Sequence, residues 1–422
     1  MGKDGQDREH REQHPDASTS APASVGLSAR RLRRIDDHLA RYVDDGHLPG
    51  WQVLVARGGQ MAHLQQYGRR DLEADAPVTE DTLFRIYSMT KPITSVALMT
   101  LYEQGLFQLD DPIERFIPEL GELQVFDTGD ASQFTTVPAE RSVTIRDLLT
   151  HTAGFTYGFM HAHPVDALYR EKGIGGVATS GTLAEMVSRL GETPLLCQPG
   201  SQWNYSVATD ILGHLIERIS GTPLDRFLAT NLFEPLGMKD TGFHVNPAAR
   251  DRFAACYERK GDGLRLQDAP SESSYLEPPS FLSGGGGLVS TSADYLRFCR
   301  MLLGNGMLDG KRILGRKTLA LMAPEPPARG RRPDQHGPAR VQRDPLRRHR
   351  LRPRLGRWCR IRPEAQVAGS AGELAWGGMA STAFWVDPAE DLAVIFMTQL
   401  IPSSAYPIRR ELRVLVYQAL DD

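Results

Sequence analysis

Residues 84–105 read FRIYSMTKPITSVALMTLYEQG, and within them Ser88 stands three residues before Lys91, a spacing found nowhere else in the chain. Apolar residues recur at helical intervals after this point, so we predict a helix over about 89–105. If that helix begins at Ser88, the two side chains lie on one face about one turn apart. A hydroxyl and an amine at this distance can form a nucleophile and its base.

The start of a helix also suits the chemistry of an activated serine. Its free N–H groups and positive dipole favour an anion that develops next to Ser88, and the serine's own N–H can donate to an oxyanion. Such a pair needs a proton shuttle, for which Tyr205 is a candidate. Taken alone, S-x-x-K more often marks a solvated serine and lysine, and a lone tyrosine more often belongs to the core.

Strand-like runs occur near both ends of the chain, with helical patterns between them. The predicted strands are Trp51–Ala56, Met61–Tyr67, Thr382–Val386 and Leu392–Thr398. The first two are joined at Gly58-Gly59, which is typical of a tight hairpin. We therefore predict an α+β fold: one antiparallel sheet built from both chain ends, flanked by the terminal helices, with an inserted helical subdomain.

The predicted domain limits follow this pattern. Residues 1–26 are polar and are predicted to be a disordered tail, residues 27–105 and 283–422 form the discontinuous sheet domain, and residues 106–282 form a mainly helical subdomain. The predicted helices run from Ser28 to Asp45, from near Thr144, Thr182 and Val207, from Ser292 to Leu303 with Ser292 as the cap, and from Ile408 to Leu420.

The overall composition argues against several classes of partner. The formal net charge is −3, which favours neither nucleic acid nor a membrane surface as a partner. No apolar run is long enough for a transmembrane helix, and the polar N-terminus lacks the apolar core of a signal peptide. We therefore predict a cytoplasmic protein with a small-molecule substrate.

The cysteines indicate neither a disulfide framework nor a metal site. Cys197, Cys256, Cys299 and Cys359 lie far apart in the sequence, and no histidine stands at metal-ligand spacing from them. Buried free thiols are therefore favoured over disulfides. We predict no metal and no cofactor.

Six sequence blocks, taken together, are more specific than the Ser-Lys spacing. In order, they are FRIYSMTKPITSVALMTLYEQG (84–105), TIRDLLTHTAGF (144–155), PGSQWNYSVATDILGHLIERISGTPL (199–224), FEPLGMKDTGF (233–243), GGGGLVSTSADYLRFCRMLL (284–303) and GELAWGGMASTAFWVDP (372–388). The chain thereby resembles the serine hydrolases related to class C β-lactamases and penicillin-binding proteins, and most of all the family VIII carboxylesterases. The resemblance covers about residues 30–325 and 366–420.

This resemblance implies a β-lactamase/transpeptidase-like fold and a set of roles. Ser88 would be the acylated nucleophile, Lys91 its base and Tyr205 the proton shuttle. Trp376-Gly377-Gly378 matches the Lys-Thr-Gly strand of β-lactamases, and the N–H of Met379 would be the second oxyanion donor.

Two departures from the β-lactamase pattern bear on the substrate. The Tyr-x-Asn motif reads Tyr205-Ser206-Val207, so the amide that contacts a β-lactam side chain is absent. Trp376 stands where a lysine would meet the substrate carboxylate. Both changes put apolar groups at the substrate-binding positions. We therefore expect hydrolysis of short-chain carboxylic esters, with β-lactamase, D-amino-acid peptidase or acyltransferase activity as alternatives, and a catalytically inactive binding protein as the rival class.

Two other motifs have ordinary interpretations. His151 invites a triad with Ser88, but the resemblance implies a structural loop histidine. The glycine run 284–287 lacks the Lys-Ser/Thr that would follow in a phosphate-binding loop.

Residues 329–362 contain thirteen arginines and neither a helical nor a strand period. We favour a frame error or drift over a true insertion, and either of these over nucleic-acid binding. A strand this rich in charge could not be buried, because an unpaired buried charge costs several kcal/mol. We therefore predict that residues 326–363 loop out of the sheet and leave the oxyanion strand less well held.

Overall fold

The computed structural model describes residues 20–175, 179–323 and 367–422. Within these residues the α-helices are α1 (Ala29–Asp44), α2 (Thr90–Glu103), α3 (Ile145–Leu149), α4 (Pro164–Glu171), α5 (Leu183–Gly191), α6 (Ala208–Ser220), α7 (Leu224–Leu228), α8 (Glu234–Leu236), α9 (Ser292–Leu303), α10 (Arg316–Met322) and α11 (Ile408–Tyr417). The strands are β1 (Gly50–Arg57), β2 (Gln60–Asp71), β3 (Ala76–Pro77), β4 (Phe84–Arg85), β5 (Gln124–Gly129), β6 (Phe134–Pro138), β7 (Cys256–Lys260), β8 (Gly263–Asp268), β9 (Val289–Ser290), β10 (Met307–Leu308), β11 (Lys311–Arg312), β12 (Leu374–Gly377), β13 (Ala383–Asp387), β14 (Leu392–Met397) and β15 (Leu400–Ile401).

The central sheet joins the two ends of the chain, as predicted. Its six strands lie in the order β12-β13-β14-β1-β2-β3, and every neighbouring pair is antiparallel. The link between the ends is the pairing of β1 with β14, in which Leu54 lies opposite Ile395. The α+β class is confirmed, and the β1–β2 turn places Gly58 and Gly59 at positive φ, as a tight hairpin requires.

The alternation of strand side chains divides the apolar residues of the sheet between two helical layers. One face, with Trp51 and Val53 of β1, packs in a cluster with α1 and α11. The opposite face, with Leu54 of β1 and Ile395 of β14, packs against α2 and α9. Helix α2, which follows Ser88, is therefore buried between this face and α6, which fixes its position.

Several predicted boundaries moved by a few residues. Thr291 caps α9 by accepting from the Asp294 N–H at 3.2 Å, because its backbone is extended, whereas the Ser292 hydroxyl is buried inside the helix. α11 ends at Tyr417, three residues before the predicted end. The prediction of a disordered tail was wrong for residues 20–26, because Arg57 donates to the Val25 and Gly26 carbonyls there. Residues 1–19 lie outside the described residues.

The segment 106–282 contains helices and two hairpins. Helices α3 to α8 lie between the hairpin β5–β6, which precedes them in the chain, and the hairpin β7–β8, which follows them. Strand β15 pairs with β7 in parallel. The domain limits stay a prediction. The arginine-rich segment 326–363 lies outside the described residues, and so does the prediction that it loops out.

Two further expectations concern thiols and membranes. Cys197, Cys256 and Cys299 are buried free thiols, which confirms that prediction for the three cysteines that the structure describes. Cys359 lies in the undescribed part. None of the described helices has the length and apolar character needed to cross a bilayer.

Candidate active site

The backbone just before Ser88 is strained. Strand β4 pairs with β9, and the Ile86 N–H donates to the Leu288 carbonyl at 3.0 Å. Tyr87 then adopts a φ of +43°, a backbone conformation that costs energy for any residue other than glycine. Ser88 follows in a single 3-10 turn, Tyr87–Met89, before α2 begins at Thr90. Ser88 therefore precedes the α-helix by two residues and does not begin it.

The structure brings the three predicted catalytic side chains together. The Tyr205 hydroxyl donates to Ser88 Oγ at 2.7 Å, and Lys91 Nζ lies 3.4 Å from the same oxygen. Lys91 reaches Ser88 across one turn, and Tyr205 reaches it from the segment just before α6. Lys91 is only 3% exposed, so its amine acts in a desolvated environment where polar interactions are strong.

Lys91 has further partners that the sequence reasoning missed. Its Nζ donates to the Gly285 carbonyl at 2.6 Å and to the Tyr157 hydroxyl at 3.0 Å. The amine also lies 4.8 Å from the centre of the Tyr205 ring, where a cation is attracted to the π face. These contacts aim the amine at Ser88 and limit the positions that it can take.

Asp210 holds the glycine loop whose Gly285 carbonyl accepts from Lys91. Its Oδ1 accepts from the Gly285 N–H at 2.9 Å and from the Ser283 hydroxyl at 2.6 Å. Burial, followed by the charge of Asp210, raises the pKa of Tyr157 well above its ordinary value, so that phenol stays protonated. A Cβ on Gly285 would lie 2.7 Å from the Asp210 carboxylate, which explains why glycine is needed at this point of the run.

The signal for Asp210 was present in the sequence, since it follows Tyr205 by five residues inside a quoted block. Tyr157, by contrast, lies in a loop with no regular pattern. Its role depends on the distance between two segments that are far apart in the chain.

The predicted oxyanion segment lines the same cleft as Ser88. Trp376, Gly377, Gly378 and Met379 all line the cleft. The Gly378 N–H donates to the Thr382 carbonyl at 2.9 Å and closes the turn after β12. A Cβ on Gly378 would lie 2.5 Å from the carbonyl oxygen of Ile86, two residues before the nucleophile. The turn therefore packs directly on the chain that leads to Ser88.

The cleft has a volume of about 950 Å³ and is largely apolar. Aromatic side chains are its common feature among the described residues, and they are Tyr87, Tyr157, Phe159, Tyr205, Phe243, Tyr275, Phe281, Trp376, Phe384 and Trp385. Such a surface suits the apolar groups of a small neutral molecule.

Val207 does not stand where the departure from Tyr-x-Asn suggested. Its side chain is completely buried at the start of α6, is not among the described residues that line the cleft, and would touch a Cβ placed on Gly175. The prediction that Val207 contacts the substrate was therefore wrong in its geometry. The physical reason is that the first turn of α6 directs this residue into the core.

His151 lies behind Tyr205. Its Nδ1 is 3.2 Å from the Ser206 hydroxyl, and its ring stacks on Trp376 with centroids 6.2 Å apart. None of the hydrogen bonds among the described residues joins His151 to Ser88. Burial, assisted by the charge of Lys91, lowers the pKa of His151 to about 3, so the ring is neutral at physiological pH. These contacts support a structural histidine.

Within the described ranges, His, Cys, Asp and Glu side chains form no group of three or more that could hold a metal ion. The absence of a cofactor stays a prediction.

Comparisons with known proteins agree with this geometry. The β-lactamase family model matches residues 35–418. Esterase EstB of Burkholderia gladioli is 32% identical, over 95% of this chain and 99% of its own length. Protein Rv1367c of Mycobacterium tuberculosis is 36% identical over 85% of this chain and 88% of its length. Among solved structures, EstCE1, a hydrolase with promiscuous acyltransferase activity, superposes with a TM-score of 0.72 at 25% identity, covering 92% of this chain and 99% of that one.

The buried His151 makes a testable contribution to acid sensitivity. Its folded pKa of about 3 lies below the ordinary value of 6.5, so between these values the unfolded chain binds a proton that the folded chain does not. Stability through this group is therefore complete above pH 6.5 and falls as the pH is lowered toward 3.

We expect His151→Asn to flatten the dependence of the free energy of unfolding on pH by about 1.4 kcal/mol per pH unit between pH 4 and 6. Asparagine is chosen because it tolerates the positive φ of His151. Urea unfolding at a series of pH values measures the slope. Equal slopes in the two proteins would contradict the expectation.

Proposed function

The chain belongs to the β-lactamase family and is a serine hydrolase, and from that premise we propose that it cleaves short-chain carboxylic esters through an acyl-enzyme on Ser88. One observation carries the proposal. Ser88 Oγ contacts both the Tyr205 hydroxyl and Lys91 Nζ inside an aromatic cleft whose edge strand carries Trp376.

In the acylation step, Ser88 Oγ attacks the ester carbonyl carbon while its proton passes to the Lys91 amine, which acts as the base. The carbonyl oxygen becomes an oxyanion held by the N–H groups of Ser88 and Met379. When the intermediate collapses, the C–O bond to the alcohol breaks, and Tyr205 donates its proton to the departing oxygen. Tyr205 then recovers a proton from Lys91.

In the deacylation step, a water molecule takes the place of the alcohol. Tyr205 and Lys91 remove its proton as it attacks the acyl carbon, and the bond to Ser88 Oγ breaks with return of the proton to that oxygen. The carboxylic acid leaves and the enzyme is restored. Both steps use the same two groups because the leaving alcohol and the entering water occupy the same position.

The fixed contacts of Lys91 support this cycle. The Gly285 carbonyl and the Tyr157 hydroxyl hold the amine beside Ser88 in every step, so little reorganisation is needed when the proton moves. Tyr157 stays protonated, because burial and Asp210 raise its pKa, and this leaves Tyr205 as the phenol that transfers protons.

The apolar cleft supports a neutral ester as substrate. Trp376 offers a ring where a lysine would offer a charge to a carboxylate, and it stacks near His151 and Tyr205. A β-lactam or a peptide stem carries a carboxylate, which would lose hydration beside this ring without gaining a lysine as its partner. Arg409 also lines the cleft, but its Nη2 is engaged by the Gly378 and Thr382 carbonyls. Since Val207 is buried, this argument depends on Trp376.

Removal of the nucleophile tests the proposal and its rival, an inactive binding protein. We expect Ser88→Ala to lower kcat for p-nitrophenyl butyrate about a thousandfold or more, because the covalent route is lost. A fluorophosphonate probe should label the wild-type protein and fail to label the variant.

Ser403→Ala is the matched control, since Ser403 also lines the cleft. It should retain labelling and turnover. An unlabelled but folded wild-type protein would favour the binding protein, and ester cleavage that survives in Ser88→Ala would contradict the acyl-enzyme.

The substrate preference is tested separately. We expect kcat/KM for p-nitrophenyl butyrate to exceed that for a chromogenic cephalosporin by about a hundredfold or more, which corresponds to the loss of roughly one charge-assisted contact. Steady-state assays on both substrates measure the ratio. A higher value for the cephalosporin would make β-lactam hydrolysis the better assignment.

Acyl transfer is a second candidate, favoured by the similarity to EstCE1, a hydrolase with promiscuous acyltransferase activity. An apolar cleft can admit an alcohol in place of water. We expect added 1-butanol to convert part of a vinyl butyrate substrate into butyl butyrate, as measured by gas chromatography. Formation of butyric acid alone would leave hydrolysis as the activity.

A further inference from the structure

Arg409 lies in the first turn of α11 and reaches the predicted oxyanion segment. Its Nη2 donates to the Gly378 carbonyl at 2.6 Å and to the Thr382 carbonyl at 2.8 Å. These two carbonyls stand at either end of the turn that contains Met379. A single guanidinium therefore bonds to both ends of the turn and connects it to α11.

The position of the Arg409 guanidinium also explains why residue 377 is a glycine. A Cβ at that position would lie 2.5 Å from Arg409 Cζ and 2.6 Å from Nη2. Any larger residue would displace the guanidinium from its two carbonyls. The first glycine of Trp376-Gly377-Gly378 thus makes room for Arg409, and the second makes room for the chain that leads to Ser88.

The Gly378 carbonyl and the Met379 N–H belong to the same peptide group. A hydrogen bond from a charged donor to a carbonyl polarises the peptide and strengthens the N–H at its other end. We propose that Arg409 is a positioning residue for catalysis, which orients the Gly378–Met379 peptide and makes the Met379 N–H a stronger donor to the oxyanion. This inference rests on the proposed function.

A purely structural role explains Arg409 less well. On the same helix, Arg413 pairs with Glu373 at 2.5 Å, whereas no carboxylate among the described residues pairs with Arg409 and its Nε is enclosed without a partner. Burial lowers the pKa of Arg409 to about 10, so the group still carries its charge at neutral pH. A half-buried charge with no carboxylate partner among the described residues adds little stability, whereas a methionine at the same place would avoid its desolvation.

The position of the charge supports a role in the reaction. Arg409 lines the cleft, and an ionised Tyr205 would attract it. The positive charge therefore lines the cleft in which Tyr205 would ionise during turnover, and it bonds to the peptide whose N–H would face the substrate oxygen. A charge that is already in place stabilises a transition state without reorganisation.

The test compares Arg409→Met and Arg409→Lys with Arg410→Met, a matched control that removes the same charge from the next, exposed residue of α11. We expect Arg409→Met to lower kcat for p-nitrophenyl butyrate about 10- to 100-fold with KM changed less than about threefold, since loss of a whole oxyanion donor costs 10²–10³ in kcat. Arg409→Lys should lie between it and the wild type. Arg410→Met should match the wild type.

Two further measurements separate this role from simple stabilisation. Added guanidinium ion at millimolar concentration should restore part of the kcat of Arg409→Ala. Affinity for butyl boronic acid, which forms a tetrahedral adduct on a serine, should fall in parallel with kcat, while affinity for the product butyrate stays unchanged.

The outcomes are distinct from those that test the ester hydrolase itself. An unchanged kcat in Arg409→Met would overturn the role of Arg409 while Ser88 labelling remained intact. So would a fall in kcat that is matched by an equal rise in KM, if added guanidinium ion also failed to restore kcat in Arg409→Ala. If Arg409→Met does not fold, Arg409→Lys and Gly377→Ala carry the test. Arg409→Lys removes the guanidinium and Gly377→Ala displaces it, so each should lower kcat and the boronate affinity together. If neither variant does so, the proposal is overturned.

Discussion

Lys91 imposes the constraint on which the rest of the site depends. Its amine is nearly inaccessible to solvent and must find acceptors within the protein, because an unpaired buried amine is costly. The Gly285 carbonyl and the Tyr157 hydroxyl supply them, and Asp210 in turn holds the glycine loop. The loop, α2 and α6 are therefore locked together around one nitrogen atom, and Ser88 is placed where that nitrogen can reach it.

The two sides of the cleft are held by different means. On the helical side, hydrogen bonds hold Lys91 and Tyr205 beside Ser88. On the sheet side, packing fixes the oxyanion segment: Gly378 lies against the Ile86 carbonyl, and Arg409 holds the turn from behind. The strained backbone at Tyr87 stands at the junction of these sides. Strain of this kind persists only where the surroundings determine it fully, as they do at many active sites.

The same arrangement explains why one scaffold can carry several acyl-transfer activities. In the proposed mechanism, Ser88, Lys91 and the two N–H donors act on the reacting carbonyl, whatever groups are attached to it. Choice of substrate is left to the cleft walls, where Trp376 and the other aromatic rings favour apolar groups. A change at the walls can therefore alter specificity without disturbing the network around Lys91, which agrees with the view that function belongs to sites grafted on folds.

The sequence by itself determined the α+β class, the sheet built from both ends, and the group Ser88, Lys91 and Tyr205, because periodicity and local motifs report on short segments of chain. It located β1 and β14, but not their register. Tertiary structure alone decided that the Tyr157 hydroxyl contacts Lys91, that Val207 faces the core, and that Arg409 bonds to both ends of the turn after β12. These facts depend on distances between segments far apart in the chain, and on the direction in which a helix turns each side chain, neither of which a local pattern contains.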